Sequence, residues 1–373
     1  MRVAFLSNYP VPYQRELLEA IEAAGKIEMH PFFLAARDPS RHWPDERAIA
    51  RARIPRSFGL RGAPEELRVH PTLAVDLLRT RADVTIVCGY SHAAFQLAIG
   101  ALTLARRPFV VWSELPRIHQ GSASIRLARR ALIAPLNRSR GLLAIGSRAA
   151  ETWRTVLDRP VPVVNFPYSC NVERYTAIER GPRAPGRFTF LFSGQLIERK
   201  GVDVLLRAFI AACATREDLN LRLAGDGPQR AELEAMVPEQ LRARVTFLGF
   251  VPWERLPETY ASADALVIPS RHDGWALVVN EALAAGLPVI ASEAVGAAVD
   301  LVREGTTGYR VATEDVGALR DALLRIPETA EAMGAAGRKL VVGLAPVAAA
   351  ERLYEILQAA MRGELRDRLG PVP

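Results

Sequence analysis

Between Arg271 and Ile290 the chain sets two carboxylates around the start of a helix, Asp273 in a polar turn with Gly274, and Glu281 inside the helix. A short apolar strand over 265–269 leads into the turn, and Gly286-Leu287-Pro288 stops the helix before a second strand begins. Free N–H groups in such a turn, and the positive end of the helix dipole, suit an anion. Glu281 falls among Leu277, Val279, Leu283 and Ala284. A carboxylate on an apolar face is costly to bury unless something hydrogen-bonds it, and sugar or ribose hydroxyls are suitable partners.

A second stretch runs from Phe190 to Asp203. A strand reaches a turn at Gly194-Gln195, and the adjacent cations Arg199 and Lys200 stand just before a helix. There they can neutralise phosphate oxygens. The G-x-x-x-x-G-K-[ST] spacing of a Walker loop is absent,, and a capped helix with solvated cations is the alternative. A third strand ends in Leu223-Ala224-Gly225-Asp226-Gly227-Pro228, with Pro228 suited to the first position of a helix,. A fourth ends in Leu248-Gly249-Phe250-Val251-Pro252, where the backbone can meet the edge of a base.

The elements that must carry these residues alternate. Strands are expected at Val3–Leu6, Ile27–Leu34, Val84–Cys88, Phe109–Trp112, Leu142–Ile145 and Val161–Val164, with helices between them. Residues 36–64 read as a long loop. After a Pro- and Gly-rich linker over Asn165–Gly186 the alternation restarts, with strands at 188–192, 220–224, 245–248, 265–268 and 289–291. This pattern builds α/β domains with parallel sheets and helices on both faces. Two Rossmann-like doubly wound domains are therefore expected, residues 1–180 and 187–345, facing a cleft. A last helix, in the stretch 346–373, could stay with the second domain or return to the first.

The bulk numbers agree with two folded domains. The chain has 373 residues, 49% hydrophobic and 24% charged, an ordinary globular composition. Its three cysteines, Cys88, Cys170 and Cys213, show no disulfide or zinc spacing, which fits a reducing cytoplasm,. No signal peptide is read at the start. Val84–Ala105 carries no Asp, Glu, Lys or Arg, but its turn at Gly89-Tyr90-Ser91-His92 makes it a strand, turn and helix, not a span. Residues 1–180 hold 26 Lys+Arg against 16 Asp+Glu, a balance of +10, and the remainder, 22 against 25, is −3. A basic first half suggests an anionic partner or a solvated arginine surface. Arg126, Arg129 and Arg130 beside Ile125, Leu127 and Ile133 fit either a membrane-surface helix or a core helix with a basic face,.

Together these blocks resemble the retaining glycosyltransferases of family 4, which have the GT-B fold of two Rossmann-like domains. The resemblance is specific over about 188–310 and diffuse before it. It implies transfer of a sugar from a nucleoside-diphosphate sugar to a glycan or lipid-linked acceptor. It makes Glu281 the ribose ligand, Asp273 the contact to the transferred sugar and Lys200 a diphosphate ligand. Gly194, Gln195, Arg199 and Gly225 join the donor site, as do Gly274, Trp275, Ala276, Leu277 and Val278 through their backbone, with Phe250 and Val251 against the base. Asp273 stands where the family usually has Glu, and Gln195 where it commonly has Arg. A His is usual after the strand matching Phe109–Trp112; here Ser113, Glu114 or His119 takes its place. Tyr9, Tyr13 and Gln14 follow the first strand on the acceptor side.

No Asp-x-Asp occurs, so transfer without a metal or other cofactor is expected. The expected setting is the cytoplasmic face of a membrane, with a peripheral contact to anionic lipid and no nucleic-acid partner. A GT-B sugar-nucleotide epimerase and a basic nucleic-acid-binding protein are the competing readings. The latter lacks interleaved aromatics along its basic segments.

Overall fold

The computed structural model describes residues 1–36, 51–57, 68, 70–116, 122–177 and 186–372. Most of the expected loop over 36–64, together with Arg117, His119 and residues 178–185 of the expected linker, lies outside the described residues.

The first sheet holds β1 (Arg2–Ser7), β2 (Glu28–Phe33), β3 (Val84–Val87), β4 (Phe109–Ser113), β5 (Leu142–Ala144) and β6 (Val163–Asn165), in the order β2-β1-β3-β4-β5-β6. The second holds β7 (Phe188–Ser193), β8 (Leu219–Ala224), β9 (Val245–Gly249), β10 (Ala265–Ile268), β11 (Val289–Ser292) and β12 (Gly308–Val311), in the order β12-β11-β10-β7-β8-β9. Every pairing between these strands is parallel. Strands covered on both faces read as unbroken apolar runs, and Val84–Val87 and Ala265–Ile268 are buried at every residue,.

Strand order reverses between β1 and β3, and again between β7 and β10. Open parallel sheets bind ligands beyond the carboxyl ends of their strands at such reversals. The residues following β7 and β10 are the two stretches singled out by their chemistry.

The charge-free stretch from Val84 forms β3, a turn and the helix Ala93–Leu104, and among the described residues no helix is long and apolar enough to cross a membrane. The structure adds β12 and the helices Gly296–Leu301 and Ala330–Val341, which the sequence pattern does not announce. The first two span only 4 and 6 residues, too few to display a period.

The chain divides into two compact units, Met1–Ser169 with Pro346–Val372, and Cys170–Ala345. The last helix, Pro346–Arg362, packs on Pro12–Ala24 of the first unit and buries Leu353, Ile356 and Leu357. Lys26 pairs with Glu351 and lies 5.5 Å from the ring centre of Tyr354. Beyond that helix the chain runs along the open edge of β6. Asn165 N–H donates to the Arg368 carbonyl (2.6 Å) and Arg368 N–H to that of Val163 (2.9 Å). The Asp367 carboxylate takes the Val163 N–H at 2.9 Å. An edge that would otherwise offer unpaired backbone is closed.

Leu357 is fully buried, so Leu357→Ala should destabilise the first unit by ~2–5 kcal/mol, the usual cost of such a cavity. Urea unfolding followed by the first unit's buried Trp112 and Trp153 measures it. An unchanged midpoint would show that the returning helix adds nothing to that core.

Candidate functional site

The site is built on the loops that follow β7, β8, β9 and β10. After β7 the chain turns at Gly194 and makes a three-residue 3₁₀ turn, Glu198–Lys200, before the helix Val202–Cys213. Gly201 ends that turn with φ 65°, and a Cβ there would stand 2.3 Å from the Pro269 carbonyl oxygen. Only glycine lets the β7 loop touch the end of β10 so closely. Gly225, after β8, has φ 146°, and a Cβ there would meet the Gly194 carbonyl at 1.8 Å. Its N–H donates to the Gly249 carbonyl (2.8 Å), joining the ends of β8 and β9.

These approaches bring Lys200 Nζ to Asp273 Oδ2 at 2.5 Å, with the two side chains 13% and 12% exposed. Arg199 Nη1 lies 3.6 Å from the same oxygen and donates to the His272 carbonyl at 2.8 Å. The Asp273 N–H donates to Ala294 (3.2 Å). Two cations and one carboxylate thus meet where the strand order reverses, leaving net positive charge for an anion. Ala276 takes φ 71°, a left-handed backbone that a residue with a Cβ adopts only against strain. Among the described residues no backbone acceptor takes the N–H groups of Ala276, Leu277 or Val278.

Glu281, in the helix Val278–Ala284, is buried, as its apolar neighbours lead one to expect. The protein itself supplies the hydrogen bonds. The Tyr260 hydroxyl donates to Glu281 Oε2 at 2.7 Å, and the Tyr175 hydroxyl stands close to the same carboxylate. The Ser193 hydroxyl, at the end of β7, lies close to that of Tyr260. The two tyrosine rings meet edge to face, 5.5 Å apart. Burial pushes the Glu281 carboxyl above its ordinary pKa, against the lowering effect of both hydroxyls and the Arg174 charge. It pushes both tyrosine hydroxyls well up as well.

Of the residues read from sequence, Gly194, Lys200, Arg199, Gly225 and Asp273 come together on neighbouring strand ends, and Glu281 sits on the helix that follows the Asp273 turn. Gln195 is exposed beside Gly194, Phe250 and Val251 follow β9, and Phe250 is 47% exposed. Trp275 is turned inward, 1% exposed, and its indole donates to Asn280 Oδ1 (3.0 Å), so only its backbone faces the site. Sequence reasoning missed Tyr175, Arg174 and Trp253. Arg174 stacks 3.1 Å from the centre of the Trp253 ring and donates to its carbonyl. Tyr260, in the helix Leu256–Ala261, was missed as well.

In the first unit, the Asn8 amide and His92 Nε2 are 3.2 Å apart across the β1/β3 reversal. His92 escaped the sequence reading, although a His at a helix start after a strand was a usable signal. Tyr9 follows β1 half-buried. Tyr13 packs on Tyr168, ring centres 4.4 Å apart, and the Tyr168 hydroxyl donates to Glu114 Oε1 at 3.0 Å. Ser113 is buried and donates to the Glu114 carbonyl. Gln14 needs correcting as a ligand contact. It is 5% exposed and its side-chain oxygen accepts from Ser7 (3.0 Å), because its helix turns that face onto the sheet. His119 lies outside the described residues.

Residues 187–328 match the family model described as "Glycosyl transferases group 1". That segment holds the whole second sheet and its strand-end loops. A D-inositol 3-phosphate glycosyltransferase of Actinosynnema mirum is 33% identical over 229 residues, 56% of this chain and 53% of that protein. A GDP-mannose-dependent alpha-(1-6)-phosphatidylinositol monomannoside mannosyltransferase of Mycolicibacterium smegmatis is 36% identical over 155 residues, 39% of this chain and 40% of that one. The chain thus aligns with only about half, or less, of these relatives' length. Over nearly its full length it is similar in structure to a lipopolysaccharide outer core galactosyltransferase, WaaB (TM-score 0.74, 18% identity, 98% of this chain and 100% of that one). Anabaena HepE in complex with UDP is similar to the same degree (TM-score 0.74, 18% identity, 96% and 100%). The fold is GT-B, as the sequence resemblance implied.

Glu281 gives a pH-dependent expectation. Its folded pKa is raised, so between the unfolded and folded values the native state binds more protons than the unfolded state. The carboxylate therefore lowers stability as pH rises through that window. Glu281→Gln keeps an oxygen for Tyr260 and removes the charge. Its thermal midpoint without ligand should gain on wild type from pH 4 to pH 8; a difference flat with pH would contradict the buried, charged carboxylate.

Proposed function

We propose that this protein is a metal-independent, retaining glycosyltransferase that takes a sugar from a nucleoside-diphosphate sugar, with UDP or GDP as the carrier. The observation that carries the reading is the meeting of Lys200, Arg199 and Asp273 beside the buried Glu281. As the bond between sugar and diphosphate breaks, negative charge grows on the departing phosphate oxygens. Fixed cations and amides aimed at that charge lower the barrier. Lys200 and Arg199 supply the cations, and the N–H groups of Ala276–Val278 supply dipoles. With two side-chain cations in place, a divalent ion is not needed to neutralise the leaving group.

Glu281 holds the ribose hydroxyls, its own position fixed by Tyr260 and Tyr175. Asp273 contacts the transferred sugar once a diphosphate has drawn Lys200 away from it. Phe250 and Val251 lie against the base. Retention follows from attack on the same face as the leaving group, whose phosphate accepts the acceptor's proton. The two-carboxylate scheme of glycosidases does not apply to Asp273 and Glu281, since neither is assigned proton transfer or attack. The similarity of the chain to a GDP-mannose-dependent mannosyltransferase, and to a structure holding UDP, supports the donor class.

The acceptor is a glycan or lipid-linked group in cell-surface polysaccharide or glycolipid synthesis, approached from the cytoplasmic side of a membrane. The basic first half supports an anionic acceptor, with Tyr9, Tyr13 and Glu114 on that side. On the helix Ala123–Ile133, Ile125 and Leu127 are 45% and 71% exposed beside exposed Arg130, which supports the membrane-surface role over the core role,.

UDP or GDP should raise the thermal midpoint with EDTA present, and Glu281→Ala should abolish the rise. Asp273→Asn should lower sugar transfer by about 10²-fold or more, as loss of a transition-state contact does, while changing nucleotide affinity little. If neither diphosphate shifts the midpoint without metal, the donor site as assigned is wrong.

A further inference from the structure

Arg271 plays no part in the donor reading, yet all five of its guanidinium N–H donors are taken. Nη1 donates to the Glu198 carbonyl (2.6 Å) and to Asp203 Oδ1 (2.9 Å). Nη2 donates to Asp203 Oδ2 (2.8 Å) and Glu314 Oε2 (3.3 Å), and Nε donates to the other Glu314 oxygen. Its backbone N–H donates to the Arg199 carbonyl at 2.8 Å. One residue on the β10 loop thereby grips the β7 loop, the first turn of the helix Val202–Cys213, and the segment beyond β12. Burial pushes the Asp203 carboxyl up, but the hydrogen bonds and charge of Arg271, with the charge of Arg207, bring it below its ordinary value.

We propose that Arg271 is a positioning residue for the diphosphate. It fixes the Glu198–Lys200 turn against the Asp273 turn so that Arg199 and Lys200 present their charge at one place. The inference rests on the donor reading above. A three-residue turn has little of its own to hold its direction, here the bonds from Lys200 N–H to the Ile197 carbonyl (2.9 Å) and from Gly201 N–H to that of Glu198 (3.1 Å),. Two successive carbonyls of this turn, Glu198 and Arg199, are taken by Arg271. Arg199 returns a bond to the carbonyl of His272, the next residue, so the two loops are laced from both sides. A brace for the helix start alone would not require this, because Arg207 already pairs with Asp203 at 2.8 Å. The forked contact to Asp203 is the part a lysine cannot make.

The test compares UDP with uridine and GDP with guanosine by calorimetric titration, in wild type, Arg271→Met and Arg271→Lys. For whichever diphosphate wild type binds, both variants should weaken it by about tenfold or more and weaken the matching nucleoside less than about twofold, because only the phosphates use the laced cations. Equal loss for nucleoside and diphosphate would mean a general structural role and would overturn the proposal, as would an unchanged diphosphate affinity. Arg271→Lys keeps the charge and the backbone bond, and decides the matter if the methionine variant does not fold. Wild type that binds neither diphosphate overturns the donor reading and this one with it. Wild type that binds while the variants bind equally well overturns only the positioning role.

Discussion

The contact between Lys200 and Asp273, 2.5 Å across two loops, is the constraint on which the rest of the second unit depends. Two opposite charges this close and this sheltered need their backbones fixed on both sides, or desolvation outweighs their attraction. That requirement explains the bare backbone at Gly201, the close approach of Gly225 to Gly194, and the lacing through Arg199 and Arg271. It also explains why the loops come from β7 and β10. Only at the reversal of strand order do two adjacent strands send their following chain to opposite sides and leave a gap between them.

Glu281 poses a different problem, a buried carboxylate in no ion pair among the described residues, with the Arg174 charge near enough to be felt. The Tyr260 hydroxyl holds the carboxylate by a hydrogen bond, with the Tyr175 and Ser193 hydroxyls grouped around the pair. A carboxylate held this way keeps lone pairs for further donors. The ion cluster is matched to negative oxygen and the tyrosine-held carboxylate to hydroxyl hydrogens, so the two halves of the site differ in what they can recognise.

The parts of this arrangement legible in the sequence were those whose signal is local. Alternating apolar runs and helical periods gave the two parallel sheets, and glycines at strand ends marked Gly194 and Gly225. Adjacent cations before a helix marked Arg199 and Lys200, and a carboxylate on an apolar face marked Glu281. What stayed hidden depends on distance along the chain. Tyr260 and Glu281 are 21 residues apart and Asn8 and His92 84 apart, and no spacing rule connects them. Arg271 looks like any turn arginine until Asp203 and Glu314 are seen around it. Gln14 was misread as a ligand contact for a different reason. Its amide is polar enough to suit a ligand, and only packing shows that the side chain points inward to Ser7.

The return of Pro346–Arg362 to the first unit has a consequence for how the chain is made. Synthesis delivers β1 to β6 first, but the helix that covers Pro12–Ala24, and the strap that closes β6, leave the ribosome only after all of Cys170–Ala345. The second unit is continuous and can finish folding while the first still lacks a wall and shows an open strand edge. The unit that begins first is therefore completed last, and in that interval its β6 edge is the place most in need of protection from pairing with another chain.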